Sequence, residues 1–218
     1  MDILALDYGD RRIGYATASE TLKMAFAKGF ILNDESMTES IKKLIDDNAP
    51  KKIVLGLPLK KDVSFTLATD KALEFGYRIS SFTKRDIFLV DERFTTALSQ
   101  VQLRTGGKSV KASRQIIDAE SAKAIAETYL QNPGWVFRFT DREIAPEKVF
   151  SYLENGNGTL YFSGAFRLLE QVQKFKGEFS IFELNPYCYS KNRNQKLPDN
   201  VREYRFVFSV PEGSSLCS

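Results

Sequence analysis

The stretch Ile3–Ala18, ILALDYGDRRIGYATA, decides the fold of the first part of the chain. Its apolar start predicts a β-strand that ends at the carboxylate Asp7, and a short polar turn leads into a second strand, Ile13–Ala18. Strands joined by so short a turn pair as an antiparallel hairpin. An acid at a strand end contributes little to a core but can hold a cation, so Asp7 is the first candidate site residue.

The residues after the hairpin predict one more strand and then alternating helices and strands. Ala25–Leu32 completes a three-stranded meander, and the apolar runs Ile53–Leu57 and Ile87–Val90 predict buried strands. Apolar residues at helical spacing predict helices that begin near Ser36, Phe65, Ala97 and Ser113. A meander followed by βαβ crossovers forms a mixed five-stranded sheet with helices on both faces, the ribonuclease H-like α/β arrangement.

The segment Asn132-Pro133-Gly134 ends the last of these helices and is the predicted domain boundary. Residues 1–134 are expected to form the ribonuclease H-like domain and residues 135–218 a small C-terminal α+β domain. In the second domain the sequence predicts helices at 147–153 and 166–175, a polar loop at 190–200, and strands at 135–139, 160–162, 179–184 and 204–210.

The composition excludes several kinds of site. The 218 residues include no histidine, which excludes Ser-His-Asp and Cys-His catalysis and His-ligated zinc. The two cysteines, Cys188 and Cys217, lack metal-ligand spacing and indicate a reducing compartment. No apolar run approaches the roughly 18 residues of a membrane span, and the N-terminus lacks a signal peptide's basic region. We therefore expect a cytoplasmic protein that does not insert into membranes.

Further carboxylates are expected at the same end of the sheet as Asp7. Asp91 and Glu92 follow the last buried strand, and Asp118 belongs to the sheet-facing stripe of the final helix, with Ala122, Ile125 and Tyr129. The carboxyl ends of parallel strands form the ligand crevice of an open α/β sheet.

Clustered carboxylates repel one another, which predicts a metal site. Two divalent cations about 3.5–4 Å apart would neutralise them, one activating water and the other stabilising the leaving oxygen of a phosphodiester. Carboxylate oxygens suit Mg²⁺ or Mn²⁺. Asp7, Glu92 and Asp118 are the predicted catalytic residues, and the predicted metal ligands are these three with Asp91.

Each acid also has an ordinary structural explanation. Asp7 suits a turn, Asp91 a helix cap, Glu92 an ion pair with Arg93, and Asp118 the favourable dipole at a helix N-terminus. Their joint placement at one end of one sheet favours a site.

Four segments, in sequence order, resemble the RuvX family, also called YqgF, of pre-16S ribosomal RNA nucleases or Holliday junction resolvases: LALDYGDRRIGYATAS, IVLGLPL, VDERFTT and IIDAESAKAIAETYL. The resemblance covers about residues 1–135. It implies a ribonuclease H-like fold, metal-dependent phosphodiester hydrolysis and processing of the 5′ end of the small-subunit ribosomal RNA precursor, with junction cleavage as the older inference. By position it implies Asp7, Glu92 (with Asp91 as its neighbour) and Asp118 as the family's acids.

Two features depart from that family pattern. Lys60-Lys61-Asp62-Val63 stands where the family usually has a glycine shortly after GLPL, so this loop could approach nucleic acid differently. The family usually has a single domain, so residues 139–218 are an addition that the resemblance does not explain.

Basic residues near the acids are candidates for contacts with nucleic acid. Arg104–Arg114 is predicted to be a flexible basic loop that meets phosphates. Arg11 and Arg12 follow Asp7 in the turn and are expected near the scissile phosphate, with an ion pair to Asp10 as the alternative. The complete predicted set is Arg11, Arg12, Lys60, Lys61, Arg93, Arg104, Lys108, Lys111 and Arg114.

Two other functions stay open at this stage. A nucleotide-binding module of the actin and sugar-kinase kind also opens with an Asp-x-Gly hairpin, but it needs two such domains and lacks VDERFTT. A non-catalytic binding protein on the nuclease fold is the other alternative. The sequence does not choose between a ribosomal RNA precursor and branched DNA. It also leaves open a homodimer and a protein or RNA partner for residues 135–218.

Overall fold

The computed structural model describes residues 1–95, 110–131, 136–138, 158–162, 169, 172–175, 177–206 and 216–217. The chain divides into two units, Met1–Arg138 and Phe139–Ser218.

The first unit is built on a six-stranded mixed sheet. Its strands are β1 Ile3–Tyr8, β2 Arg12–Ser19, β3 Met24–Leu32, β4 Lys52–Leu57, β5 Asp86–Asp91 and β6 Val136–Arg138. Their order in the sheet is β3-β2-β1-β4-β5-β6. β1 pairs antiparallel with β2 and parallel with β4, and β5 runs parallel to β4. This is the predicted ribonuclease H-like arrangement, which is thereby confirmed.

β6 makes the sheet one strand larger than the predicted five. Val136–Arg138 pairs antiparallel with residues 88–90 of β5, so a segment that the sequence assigned to the second domain belongs to the first sheet. The division between the units therefore falls after Arg138 instead of after Gly134. A strand of three residues has too little periodicity for its pattern to assign it to either sheet.

Helices cover both faces of this sheet. They are α1 Met37–Asn48, α2 Leu67–Ser80 and α3 Val110–Gln131. On one face Tyr8 contacts Phe75 of α2, with 5.1 Å between the ring centroids. On the other face Ile3 and Ala5 share a buried cluster with Ala122 and other residues of α3. Successive residues of β1 therefore alternate between the α2 face and the α3 face.

The N-terminus of α3 differs from its prediction. The helix begins at Val110, so Lys111 and Arg114 lie on a helix and not in a loop. Arg104 and Lys108, like the helix predicted from Ala97, lie outside the described residues.

The second unit contains four parallel strands. β7 Gly158–Phe162, β8 Phe179–Glu183, β9 Val201–Phe206 and β10 Leu216–Cys217 form a sheet in the order β10-β7-β8-β9. The second unit is thus a separate sheet-containing domain, as expected, and all the pairings between its described strands are parallel.

A helix replaces the start of the polar loop predicted at 190–200. Helix α4 spans Pro186–Asn192, and the Asn185 side chain caps it by accepting hydrogen bonds from the backbone of Tyr187 and Cys188. The helix predicted at 147–153 lies outside the described residues. In the described ranges, no helix has both the length and the apolar character to cross a membrane.

Candidate active site

Asp7 lies on the α3 face of the sheet, where the apolar row of β1 ends. Ile3 and Ala5 precede it on the same face, and both are completely buried. Across the hairpin Asp7 pairs with Gly14 of β2. The carboxylate therefore points toward α3 at the end of β1.

Asp118 is brought to this place by close packing of α3 on β2. A Cβ atom on Gly14 would overlap the carbonyl oxygen of Asp118 and lie 2.6 Å from its carbonyl carbon. Only a glycine lets the helix backbone approach this strand so closely. The carboxylate of Asp118 is within 2.7 Å of Arg12, measured from Oδ2 to Nε.

Glu92 reaches the same side from the end of β5. It opens a short 3₁₀ turn, Glu92–Phe94. A Cβ atom on Gly56 of β4 would overlap Oε1 of Glu92 and come within 2.6 Å of Cδ1 of Ile125. The missing side chain at Gly56 therefore makes room for the Glu92 carboxylate between the sheet and α3.

Asp91 has a different role from its neighbour. It is 1% exposed, and its carboxylate accepts hydrogen bonds from the Arg93 backbone at 3.0 Å and from its guanidinium at 2.6–3.0 Å. Arg93 also donates to the carbonyl oxygen of Lys61. The buried Asp91 and the partly exposed Arg93 thus form a charge-assisted pair that ties the β5 end to the loop after β4.

Asp7 and Glu92 are half-buried, and their surroundings disfavour the ionised forms of both carboxyl groups. Burial, reinforced by the charge of Asp118, raises the pKa of Asp7 to about 6, while a hydrogen bond from the Ser121 side chain opposes this increase. Burial, together with the charges of Asp7 and Asp91, raises the pKa of Glu92 to about 8. Burial also raises the pKa of Asp118, although the Arg12 guanidinium opposes this effect. The site therefore carries carboxylates that a cation would stabilise.

The donor set fits a hard divalent cation. Asp7 and Glu92 offer carboxylate oxygens, and their raised pKa values indicate that the protein leaves their charges poorly compensated. Within the described ranges, no three acidic or cysteine side chains are close enough to form a preassembled metal cluster. Arg12 already engages Asp118, so Asp7 and Glu92 are the better-placed ligands.

The basic residues predicted to contact nucleic acid differ in their exposure and in their partners. Arg11, Lys60 and Lys61 are exposed, in the turns that follow β1 and β4. Arg12 binds Asp118 instead of the expected alternative Asp10, and Asp10 pairs with Lys71 at 2.7 Å. Arg93 is engaged by Asp91. The side chains of Lys111 and Arg114 lie outside the described part of the structure, as do Arg104 and Lys108 entirely.

Three site residues were not singled out from the sequence: Gly14, Gly56 and Ser121. A glycine inside a strand pattern is a signal of close backbone approach, and it could have identified Gly14 and Gly56. Ser121 lies one helical turn after Asp118, so it shares the face of α3 that meets Asp7. No local pattern in the sequence distinguishes it from an ordinary helix serine.

We expect Gly14→Ala to destabilise the protein, because the new methyl group meets helix backbone that cannot rotate away. Overpacking of this kind costs about 1–3 kcal/mol. Gly29→Ala in β3 is the matched control, since its Cβ would lie 3.4 Å from Cε1 of Tyr15, an ordinary contact. Urea denaturation of both variants measures the difference. Equal stability of the two would contradict the close packing of α3 on Gly14.

Comparisons with known proteins agree with the resemblance seen in the motifs. Residues 1–132 match the family model described as RuvX: Holliday junction resolvase. A protein of Dechloromonas aromatica (strain RCB) named "Putative pre-16S rRNA nuclease" is 31% identical over 133 residues, 60% of this chain and 91% of that protein. A protein of the same name from Burkholderia mallei (strain SAVP1) is 33% identical over 130 residues, 59% of this chain and 86% of its own.

A solved structure of T. thermophilus RuvC in complex with a Holliday junction substrate also aligns with this chain. The TM-score is 0.41 at 10% identity, over 63% of this chain and 98% of that one. The fold assignment rests on the strand order described above and not on this alignment.

Proposed function

Because the chain belongs to the RuvX family through residues 1–132, we propose that it is a metal-dependent endonuclease that hydrolyses phosphodiester bonds in structured nucleic acid. The observation that carries this proposal is the meeting of Asp7 and Glu92 as half-buried carboxylates at one end of the sheet, where the charge of Asp7 raises the pKa of Glu92. Two carboxylates whose ionised forms are disfavoured lower the stability of the folded protein, but they provide ligands for the cation of a cation-dependent reaction.

In this proposal Asp7 and Glu92 hold Mg²⁺ or Mn²⁺, and Asp118 completes the acidic set. Bound cations of this kind supply a nucleophilic hydroxide and stabilise the leaving oxygen. Ser121 orients the Asp7 carboxylate by donating a hydrogen bond to it. Arg12 holds Asp118 at the rim of the site through their ion pair. The Asp91–Arg93 pair is assigned a supporting role, because it fixes the chain on which Glu92 is presented.

In this proposal the Glu92 side chain is also a carboxyl group whose protonation state changes near neutral pH. With its pKa near 8, its carboxyl group is mostly protonated at neutral pH when no cation is bound. Glu92 would hold a cation only in its ionised form, so this proton would have to leave the carboxyl group when a cation binds.

The proposed substrate is the small-subunit ribosomal RNA precursor, near its 5′ end. The names of the two relatives support this choice, and the exposed Arg11, Lys60 and Lys61 offer positive charge in the turns after β1 and β4. A Holliday junction is the second candidate, which the description of the family favours.

Cleavage assays on two substrates test the proposal. The full chain is incubated with a 5′-extended precursor RNA and with a four-way DNA junction, each with Mg²⁺, with Mn²⁺ or with EDTA. We expect cation-dependent cleavage with preference for the RNA, and preferential cutting of the junction would select the second candidate. Binding without cleavage of either substrate would replace the proposal by a non-catalytic nucleic-acid-binding protein.

A further inference from the structure

The second unit has the strand order of a nucleotide-binding sheet. From β7 the chain proceeds to β8 and β9 on one side, and β10 then lies on the other side of β7, all strands being parallel. Doubly wound α/β sheets have this order around their first strand. Their ligands bind outside the carboxyl ends of the strands, where the order reverses, which here is at β7 and β10.

Glu183 stands at this edge of the sheet. It is the last residue of β8 and pairs with Phe162, the last residue of β7. The backbone N–H of Leu184 donates to the carbonyl oxygen of Phe162 at 2.8 Å, so the two strand ends are held side by side. Glu183 therefore ends β8, the direct neighbour of β7. The strand order reverses at β7.

Glu183 occupies a position where packing alone would favour an apolar residue. Phe179 and Ile181 precede it on the same face of β8, and both are completely buried in the apolar core of this unit. Glu183 is also 0% exposed. Burying a carboxylate is unfavourable, whereas burying a leucine of similar size stabilises the fold, and this makes the position a candidate for a function.

The Glu183 carboxylate is also held in a defined orientation. Its Oε1 accepts a hydrogen bond from the backbone N–H of Asn185 at 2.7 Å. Asn185 in turn caps helix α4. The acid, the cap and the helix start are therefore linked by consecutive hydrogen bonds after β8.

We propose that the second unit binds a nucleoside-containing cofactor outside the carboxyl end of β7 and its neighbouring strands, with Glu183 at the end of β8 accepting hydrogen bonds from the ribose hydroxyls. In nucleotide-binding sheets of this order, an acid about 20 residues beyond the first strand accepts a hydrogen bond from the ribose. Glu183 stands at that distance from the end of β7 and on the corresponding strand. This site is separate from the acidic site of the first unit and does not depend on the proposed nuclease activity.

The sequence after β7 narrows the ligand class. Residues 163–166 read SGAF, with one glycine where the dinucleotide fingerprint has three. Those glycines serve the approach of the backbone to a pyrophosphate, so a nucleoside cofactor without pyrophosphate, such as S-adenosylmethionine, is the better match. The residue that the proposal assigns to the ribose, Glu183, lies in the described part of the chain.

Calorimetric titration of the full chain tests the site. The probes are S-adenosylhomocysteine, NAD⁺ and ATP, which share adenosine and differ in their phosphates. We expect S-adenosylhomocysteine to bind most tightly, and Glu183→Gln to weaken it at least tenfold. Since Glu183 is covered in this structure, the measured affinity includes the cost of uncovering it. Glu203→Gln is the matched control, because Glu203 lies on neighbouring β9, is partly exposed and pairs with Arg205; it should bind like the wild type.

A ribose analogue distinguishes a ligand contact from a purely structural role. Removing the 2′-hydroxyl or the 3′-hydroxyl of the bound ligand should weaken its binding to the wild-type protein by a factor similar to that of E183Q, and should have little further effect in E183Q. If E183Q does not fold, as judged by its thermal transition, the analogue series on the wild type decides alone. Absence of binding by all three probes, or equal binding of the deoxy analogues, would overturn the proposal. Asp7→Asn should bind the ligand normally, which separates this test from that of the nuclease.

Discussion

Replacing Asp7 by asparagine is expected to abolish cation-dependent cleavage without unfolding the protein. The change removes one negative charge and keeps the shape of the side chain. Loss of a single electrostatic group that acts on a transition state lowers kcat on the order of 10²- to 10³-fold. Because desolvation and the charge of Asp118 disfavour the ionised form of Asp7, the neutral amide should leave the free energy of unfolding at pH 7 unchanged or higher.

Asp10→Asn is the matched control for this experiment. Asp10 lies three residues beyond Asp7, but its side chain is largely exposed and pairs with Lys71 at the surface. Exposed ion pairs of this kind contribute little to stability, so this variant should retain both activity and stability. Initial cleavage rates and urea denaturation measure the two properties. Equal cleavage by the wild type and Asp7→Asn would remove Asp7 from the mechanism.

The stability of the cation-free protein should fall as the pH rises from about 4 to about 8. Folding raises the pKa of Asp7 from 3.8 to about 6 and that of Glu92 from 4.5 to about 8. Between these values the folded protein binds more protons than the unfolded chain, so the free energy of unfolding decreases with pH and then levels off. Taken together, these two pKa shifts correspond to a decrease on the order of several kcal/mol.

Urea denaturation in EDTA across this pH range measures that decrease. Glu92→Gln should flatten the upper part of the curve, because it removes the group that titrates near pH 8. Adding Mg²⁺ should stabilise the wild type more at pH 8 than at pH 5, since the cation competes with protons for the same oxygens. A wild-type stability that stays constant or rises between pH 4 and 8 would show that these carboxylates are not buried together.

The ion pair between Arg12 and Asp118 changes the role expected for Arg12, which follows the turn between β1 and β2. The sequence suggested Arg12 as a phosphate contact, but its guanidinium lies against Asp118 and over the ring of Phe30, 5.2 Å from the centroid. Arg12 and Gly14 share the α3 face of β2, because residues two apart in a strand point the same way. In this structure Arg12 is therefore the counter-charge of Asp118, in place of the predicted phosphate contact.

Local sequence determined much of the first unit. The meander, the two buried strands and the helices between them follow from apolar periods of two and of 3.6, which depend only on neighbouring residues. The same patterns place Asp7 and the Asp91-Glu92 pair at strand ends, and they put Asp118 on the sheet-facing stripe of its helix. In the second unit β7, β8 and β9 were detectable, whereas the two-residue strand β10 was not. The parallel pairing was not detectable either, because strand direction is set by connections and packing.

Only the tertiary structure decided which acid at the end of β5 joins Asp7. Adjacent residues at a strand end point to opposite faces, so the sequence shows that Asp91 and Glu92 diverge without showing which of them faces α3. Helix α3 packs on the face where Gly14 and Gly56 leave room for it and for the Glu92 carboxylate. Asp91 falls on the other side and binds Arg93. The sequence by itself determined that acids gather at this edge of the sheet, and the packing of one helix selected those that meet.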